Sequence, residues 1–131
     1  MALLLQRLAP EQVVLVSDAL APYGLGEGRH RWDERVLLVQ DGSCRLEDGT
    51  LAGVTVPLLE SVRRLASWGA APERAIAAAT VLPRRVLGDQ RDTAAMLLHT
   101  PLGEALRWRQ EADGSLGWRR AAEPEATSPG A

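Results

Sequence analysis

The hydrophobic positions of this chain change rhythm several times, and each change predicts an element. Val13-Val14-Leu15-Val16 is an unbroken apolar run that stops at Ser17-Asp18. Continuous aliphatic residues without alternation predict a strand buried on both faces, parallel and central in an α/β sheet. Two shorter runs, Val36 to Gln40 and Ser43 to Leu46, flank Asp41-Gly42. That dipeptide between apolar runs predicts a β-hairpin. Asp48-Gly49 predicts a second turn, which delivers the chain to Thr50-Leu51-Ala52-Gly53.

From Leu58 the period becomes helical. Leu58, Leu59, Val62, Leu65 and Ala66 share one face, and Glu60, Arg63 and Arg64 the other. Thr55 is the expected cap, Pro57 the expected first-turn residue and Gly69 the stop. The adjacent arginines read as a solvated helix face. A second helix is expected from Pro72 with an alanine-rich packing face, and a short third one from Pro83 through Leu87, ended by Gly88. Residues 2 to 8 predict a further short helix closed by Pro10.

The last third changes character again. Ala95 to Leu98, Ala105 to Arg109 and Leu116 to Arg120 read as strands, the last two joined across Asp113-Gly114. Trp108 and Trp118 are expected to meet as a cross-strand pair. Arg107, Arg109, Arg119 and Arg120 would line a wet face as a small basic stripe. Residues beyond 122, rich in Pro, Ala, Ser and Gly, predict a disordered tail.

Composition narrows the class. The chain has 131 residues, one ordinary domain at most. Its formal charge of -2 lacks the strongly basic balance of a nucleic-acid binder. With four Trp, one Tyr and no Phe, the core must be built from Leu, Val and Ala. A single cysteine, Cys44, excludes an intrachain disulfide and fits a reducing compartment. No run approaches the ~18 apolar residues of a membrane span, and the opening Met-Ala-Leu-Leu-Leu lacks the basic start of a signal peptide. The expectation is a soluble, cytoplasmic protein.

Asp18 is the first candidate for chemistry. It stands at the carboxyl end of the expected strand, where α/β sheets and barrels place their ligands. An Asp there also serves simply to start a turn, and both readings stay open on the residues alone. The segment from Ala19 to Gly28, with Gly24, Gly26 and Gly28, reads either as a mobile lid or as a plain surface loop.

The order of these features resembles a known family. Val14-Leu15-Val16-Ser17-Asp18-Ala19-Leu20-Ala21, the Gly-rich loop, the Asp41-Gly42 hairpin, Asp48 to Gly53, and Pro83-Arg84-Arg85-Val86-Leu87-Gly88 are similar to the C-terminal portion of the N-acetylglucosamine-6-phosphate deacetylases of the amidohydrolase superfamily. The resemblance implies an α/β fold: the C-terminal part of a (β/α)8 metal-dependent hydrolase barrel with a β-hairpin excursion, plus a few strands of a small β-domain. Residues 1–92 would be the partial barrel, 93–121 the β-domain strands and 122–131 the tail. The resemblance makes Asp18 the catalytic acid/base that takes a proton from a metal-bound water and passes it to the departing amine. It sets Leu51, Ala52 and Gly53 against a sugar-phosphate substrate.

The divalent-metal ligands of that family, a Glu and two His, come from earlier barrel strands. Here only His30 and His99 occur, in no His-x-His pairing, so no metal ligand is assigned. A full barrel takes ~250 residues. The expectation is therefore a fragment, inactive alone and completed by the missing N-terminal half of the barrel. Its exposed strand edges would favour self-association. The alternatives are a non-catalytic assembly module and part of a different amidohydrolase; neither nucleic acid nor membrane is an expected partner.

Overall fold

The computed structural model describes residues 7–9, 12–101 and 103–124. The helix expected over 2–8 and the tail beyond 122 lie mostly outside them.

The hairpin turns organise the first half. Strands β1 (Gly28–Trp32), β2 (Arg35–Gln40), β3 (Ser43–Leu46) and β4 (Leu51–Val54) form an antiparallel sheet in chain order. Asp41 and Gly42 form a two-residue loop with φ of 50° and 72°. Positive φ at both residues is the type I′ requirement, and Asp followed by Gly meets it at least cost. A side chain at Gly42 would also meet Val56 Cγ1 at 2.5 Å. In the next turn the Thr50 amide donates to the Asp48 carboxylate (2.9 Å), which lowers the Asp48 pKa.

β1 is a departure from expectation. No strand was expected between the loop ending at Gly28 and the run starting at Val36, and His30 lies in one, opposite Leu37. The sequence Gly-Arg-His-Arg-Trp has no buried alternation because β1 is an exposed edge strand. It is held by the β1–β2 turn, where Asp33 bonds the Arg35 guanidinium at 2.8 Å and is drawn to a pKa of about 2 chiefly by that contact. Arg35 stacks over Trp32, 4.6 Å from the ring centre, and Arg29 pairs with Glu47. Upstream of β1, Pro22 is fully buried and two turn hydrogen bonds pin residues 20–25. The loop is thus an anchored turn over most of its length.

One face of the sheet buries Leu37, Val39 and Cys44, with Leu20, Leu46 and Ala52 around them. Cys44 is fully enclosed, and burial raises its thiol pKa. A thiolate is the reactive species, so the native chain should not react with a disulfide-exchange reagent. Unfolding in guanidinium should release one full equivalent of thiol. Rapid native labelling would contradict the packing of this sheet.

Three helices follow. α1 (Leu58–Ser67) and α2 (Pro72–Ala79) match the periodicity, with Pro72 in the first turn of α2. Thr55 does not cap α1. Its amide donates to Gly42 O (2.9 Å) as a continuation of β4, and Pro57 occupies the cap position. α3 (Val81–Val86) begins two residues before Pro83, which the first turn tolerates. Val62, Leu65 and Ala66 of α1 pack on Ala70, Ala75 and Ala78. Alanine on α2 lets the backbones come close, as its pattern predicted.

Ala95 to Leu98, expected as a strand, is instead part of α4 (Thr93–Leu97) and the turn after it. A short apolar run does not distinguish strand from helix. Here Asp92 decides, because its carboxylate accepts from Ala94 N (3.0 Å) and caps a helix of good helix formers. The ribbon β5 (Leu106–Gln110) and β6 (Leu116–Arg120) places Trp108 opposite Trp118 as expected. Its basic stripe is smaller than expected: Arg107, Arg109 and Arg119 share a face, whereas Arg120 lies on the tryptophan face by register. Leu116 inserts into the helical core, and the Arg63 guanidinium donates to its carbonyl (2.8 Å). Arg63 is thus a link between helix and ribbon, beyond the solvated role that its spacing suggested.

Candidate functional site

No regular strand pairing forms along residues 13–18 among the described residues. The expectation of burial on both faces is corrected. Val13 and Leu15 pack against the helical core, and the Leu15 amide donates to Ala78 O at 2.8 Å. Val14 is 36% exposed and Val16 70%. One face is covered by α1 and α2 and the other is open, so the apolar run reads as a two-sided strand while only one side is filled.

The run then meets the sheet. Ala19 pairs with Val54 in a single parallel bridge. The Val54 amide donates to the Asp18 carbonyl (3.0 Å), and the Leu20 amide donates to the Val54 carbonyl (3.2 Å). Asp18 itself has φ of 49°, a left-handed conformation that Asp tolerates better than most residues. Its side chain is exposed, and among the described residues its carboxylate has no hydrogen-bond or ion-pair partner. A free carboxylate on a backbone fixed from both sides can accept and return a proton.

The fold therefore brings two sequence candidates together, Asp18 and the Leu51–Gly53 segment. The segment carries a β-bulge: Cys44 pairs with Gly53 and Arg45 with Leu51, leaving Ala52 as the extra residue. Bulges re-aim side chains and gather beside functional sites. Leu51 is 57% exposed, Ala52 packs on the Leu37 cluster, and Gly53 is buried. The backbone of Val54, which holds Asp18, escaped the sequence reading. A glycine inside a strand pattern was the signal, since it often marks close approach of another backbone.

The residues present do not fit a metal ion by themselves. Among the described residues, no three His, Cys, Asp or Glu side chains come together as a ligand set. His30 Nε2 lies 2.9 Å from Gly26 O, in a contact that orients the ring within the sheet region.

A second polar region lies past α3, where a cavity of about 130 Å³ is bordered by Arg84, Arg85, Asp89 and Arg91. Asp89 accepts from Arg91 (2.8 Å) and Arg84 (3.0 Å), in that order of effect, and its carboxyl is held well below the usual range. Those two guanidiniums are engaged within the network, which makes it a staple for the turn after Gly88.

The chain is similar to known proteins over part of its length. An Escherichia coli protein described as a putative N-acetylgalactosamine-6-phosphate deacetylase is 33% identical over 81 residues, 61% of this chain and 48% of its own length. The human N-acetylglucosamine-6-phosphate deacetylase is 34% identical over 93 residues, 69% of this chain and 22% of its own. The crystal structure of N-acetylglucosamine-6-phosphate deacetylase from Thermotoga maritima superposes with a TM-score of 0.60 at 30% identity, over 66% of this chain and 24% of that one. The chain resembles part of the N-acetylglucosamine-6-phosphate deacetylases. It spans at most about half the length of the curated relatives it matches. No family model matches it. Among the described residues no helix is long and apolar enough to cross a membrane.

Proposed function

We propose that this chain is the acid/base-bearing part of an N-acetylhexosamine-6-phosphate deacetylase, a partial (β/α) barrel with its hairpin excursion and a small β-ribbon. Asp18 is the acid/base. In the reaction, water adds to the acetamido carbon, the C–N bond breaks, and acetate leaves the amino sugar phosphate. Asp18 takes the proton of the attacking water and delivers it to the amine nitrogen, whose poor leaving ability demands that help. Leu51 and the bulge around Ala52 border the substrate. The observation that carries the reading is the meeting of the Asp18 backbone, whose exposed carboxylate is left unpartnered, with the Leu51–Val54 strand at one sheet edge. Relatives named for both the glucosamine and the galactosamine compound support the 6-phosphate N-acetylhexosamines as the substrate class. The divalent metal implied by the resemblance has no ligand set among the described residues. The barrel strands that would supply the ligands lie outside these residues.

The test is complementation. The full chain is co-expressed with the Thermotoga maritima deacetylase from which the matched quarter has been removed. Hydrolysis of N-acetylglucosamine 6-phosphate by the pair, and by neither part alone, is the expected result. No hydrolysis by a co-purifying pair would overturn the reading.

The open face of Val14 and Val16 favours a second reading, association of the isolated chain with itself. Unpaired apolar strand edges are templates for other strands. The isolated chain is expected to sediment as oligomers, and Val16→Glu to move it toward monomer. A cooperatively folding monomer in both cases would remove the reading.

A further inference from the structure

We infer that Gly53 is a positioning residue for Asp18, its missing side chain making room for that residue's backbone. This rests on the reading of Asp18 as the acid/base. The space beside Gly53 is already filled by the chain itself. A Cβ built there would lie 2.7 Å from the Asp18 carbonyl oxygen and 2.8 Å from Leu20 Cγ. Gly53 is buried, so no ligand atom can take the place of its missing side chain.

The seat has further parts. Gly53 is anchored in the sheet opposite Cys44. The next residue, Val54, donates to the Asp18 carbonyl and accepts from the Leu20 amide, spanning Asp18 on both sides. Between those two bonds Asp18 holds a φ of 49°. A left-handed non-glycine residue persists where its surroundings over-determine it, and here the absent side chain at position 53 lets those surroundings come close enough. Other glycines serve differently: Gly24, Gly26, Gly28 and Gly49 have positive φ and nothing within 4 Å of a Cβ, so their role is conformational. Gly53 owes its place to contact.

The test is Gly53→Ala in the full chain, read by amide hydrogen exchange. Protection at Val54 and Leu20 should fall about tenfold or more, as for a lost hydrogen bond. Protection in β2 and β3 should remain, which verifies that the sheet is folded. Where the single variant fails to fold, Gly53→Ala with Leu20→Ala relieves the Leu20 conflict and leaves only that with the Asp18 oxygen. The Val54 amide should still lose protection. Wild-type protection at that amide in a folded variant of either kind overturns the seat.

In the complemented enzyme, Gly53→Ala should lower kcat by roughly a hundredfold, as for a catalytic group displaced by about 1 Å, with KM little changed. A raised KM with kcat retained would make Gly53 a substrate wall and overturn the inference. If the wild-type pair shows no turnover, the deacetylase reading falls, and the exchange result still decides whether Gly53 seats Asp18.

Discussion

Replacing Asp18 with Asn should lower kcat of the complemented enzyme by about two to four powers of ten, the range general acid–base catalysis supplies. Asn has nearly the same shape and also tolerates positive φ, so the seat made by Val54 should survive. What disappears is a group able to take a proton and return it. The check is kcat for N-acetylglucosamine 6-phosphate in both pairs, with melting temperature measured beside it. A large fall in kcat at unchanged stability assigns the loss to chemistry. Activity within a few-fold of wild type would remove Asp18 from the reaction. The chain by itself, wild type or Asp18→Asn, should not turn over substrate with any added divalent metal. Turnover by the wild-type chain alone would place a complete site within these residues.

Leu37→Ala should be the most damaging core substitution for the sheet that holds the site. Leu37 is fully buried at the centre of β2, and among the described residues its cluster joins it to the buried Val39 and Cys44. Truncating a buried leucine costs about 2–5 kcal/mol, the upper part of which applies where the surroundings cannot collapse into the void. Against a total stability of about 5–15 kcal/mol for an ordinary domain, that is a large share. Leu20 and Ala52 pack on the same cluster, one just past Asp18 and the other beside Gly53. The loss should therefore spread to the Val54 and Leu20 amides, while the helical cluster around Leu65 and Ala75 keeps its protection. Urea unfolding with residue-resolved exchange would measure both parts. A loss of unfolding free energy below 1 kcal/mol, with the Val54 amide still protected, would mean that the hairpin sheet does not support Asp18.

Turns and long periodic segments were legible because their signals are local. Asp41-Gly42 meets the φ requirements of its turn with two adjacent residues, and α1 repeats its apolar face over ten residues. The opposition of Trp108 and Trp118 followed from two alternating runs and one short turn. β1 was not legible, because an exposed edge strand needs no apolar alternation. α4 was misread because four apolar residues carry no period, and a single Asp92 hydrogen bond sets their state. Arg63 looked like surface, since nothing near it in the chain announces Leu116 more than fifty residues away.

At the site the division is the same. The sequence alone marked Asp18 at the end of an apolar run and, through the ordered resemblance, paired it with Leu51, Ala52 and Gly53. Only the tertiary structure decided that Val14 and Val16 face outward, that Ala52 sits in a bulge, and that Gly53 gives its space to the Asp18 carbonyl. Patterns along a chain report which residues want burial or a particular φ. Which neighbour fills the space beside each one depends on packing between segments far apart in sequence, and that contact is made only when the sheet and helices close on each other.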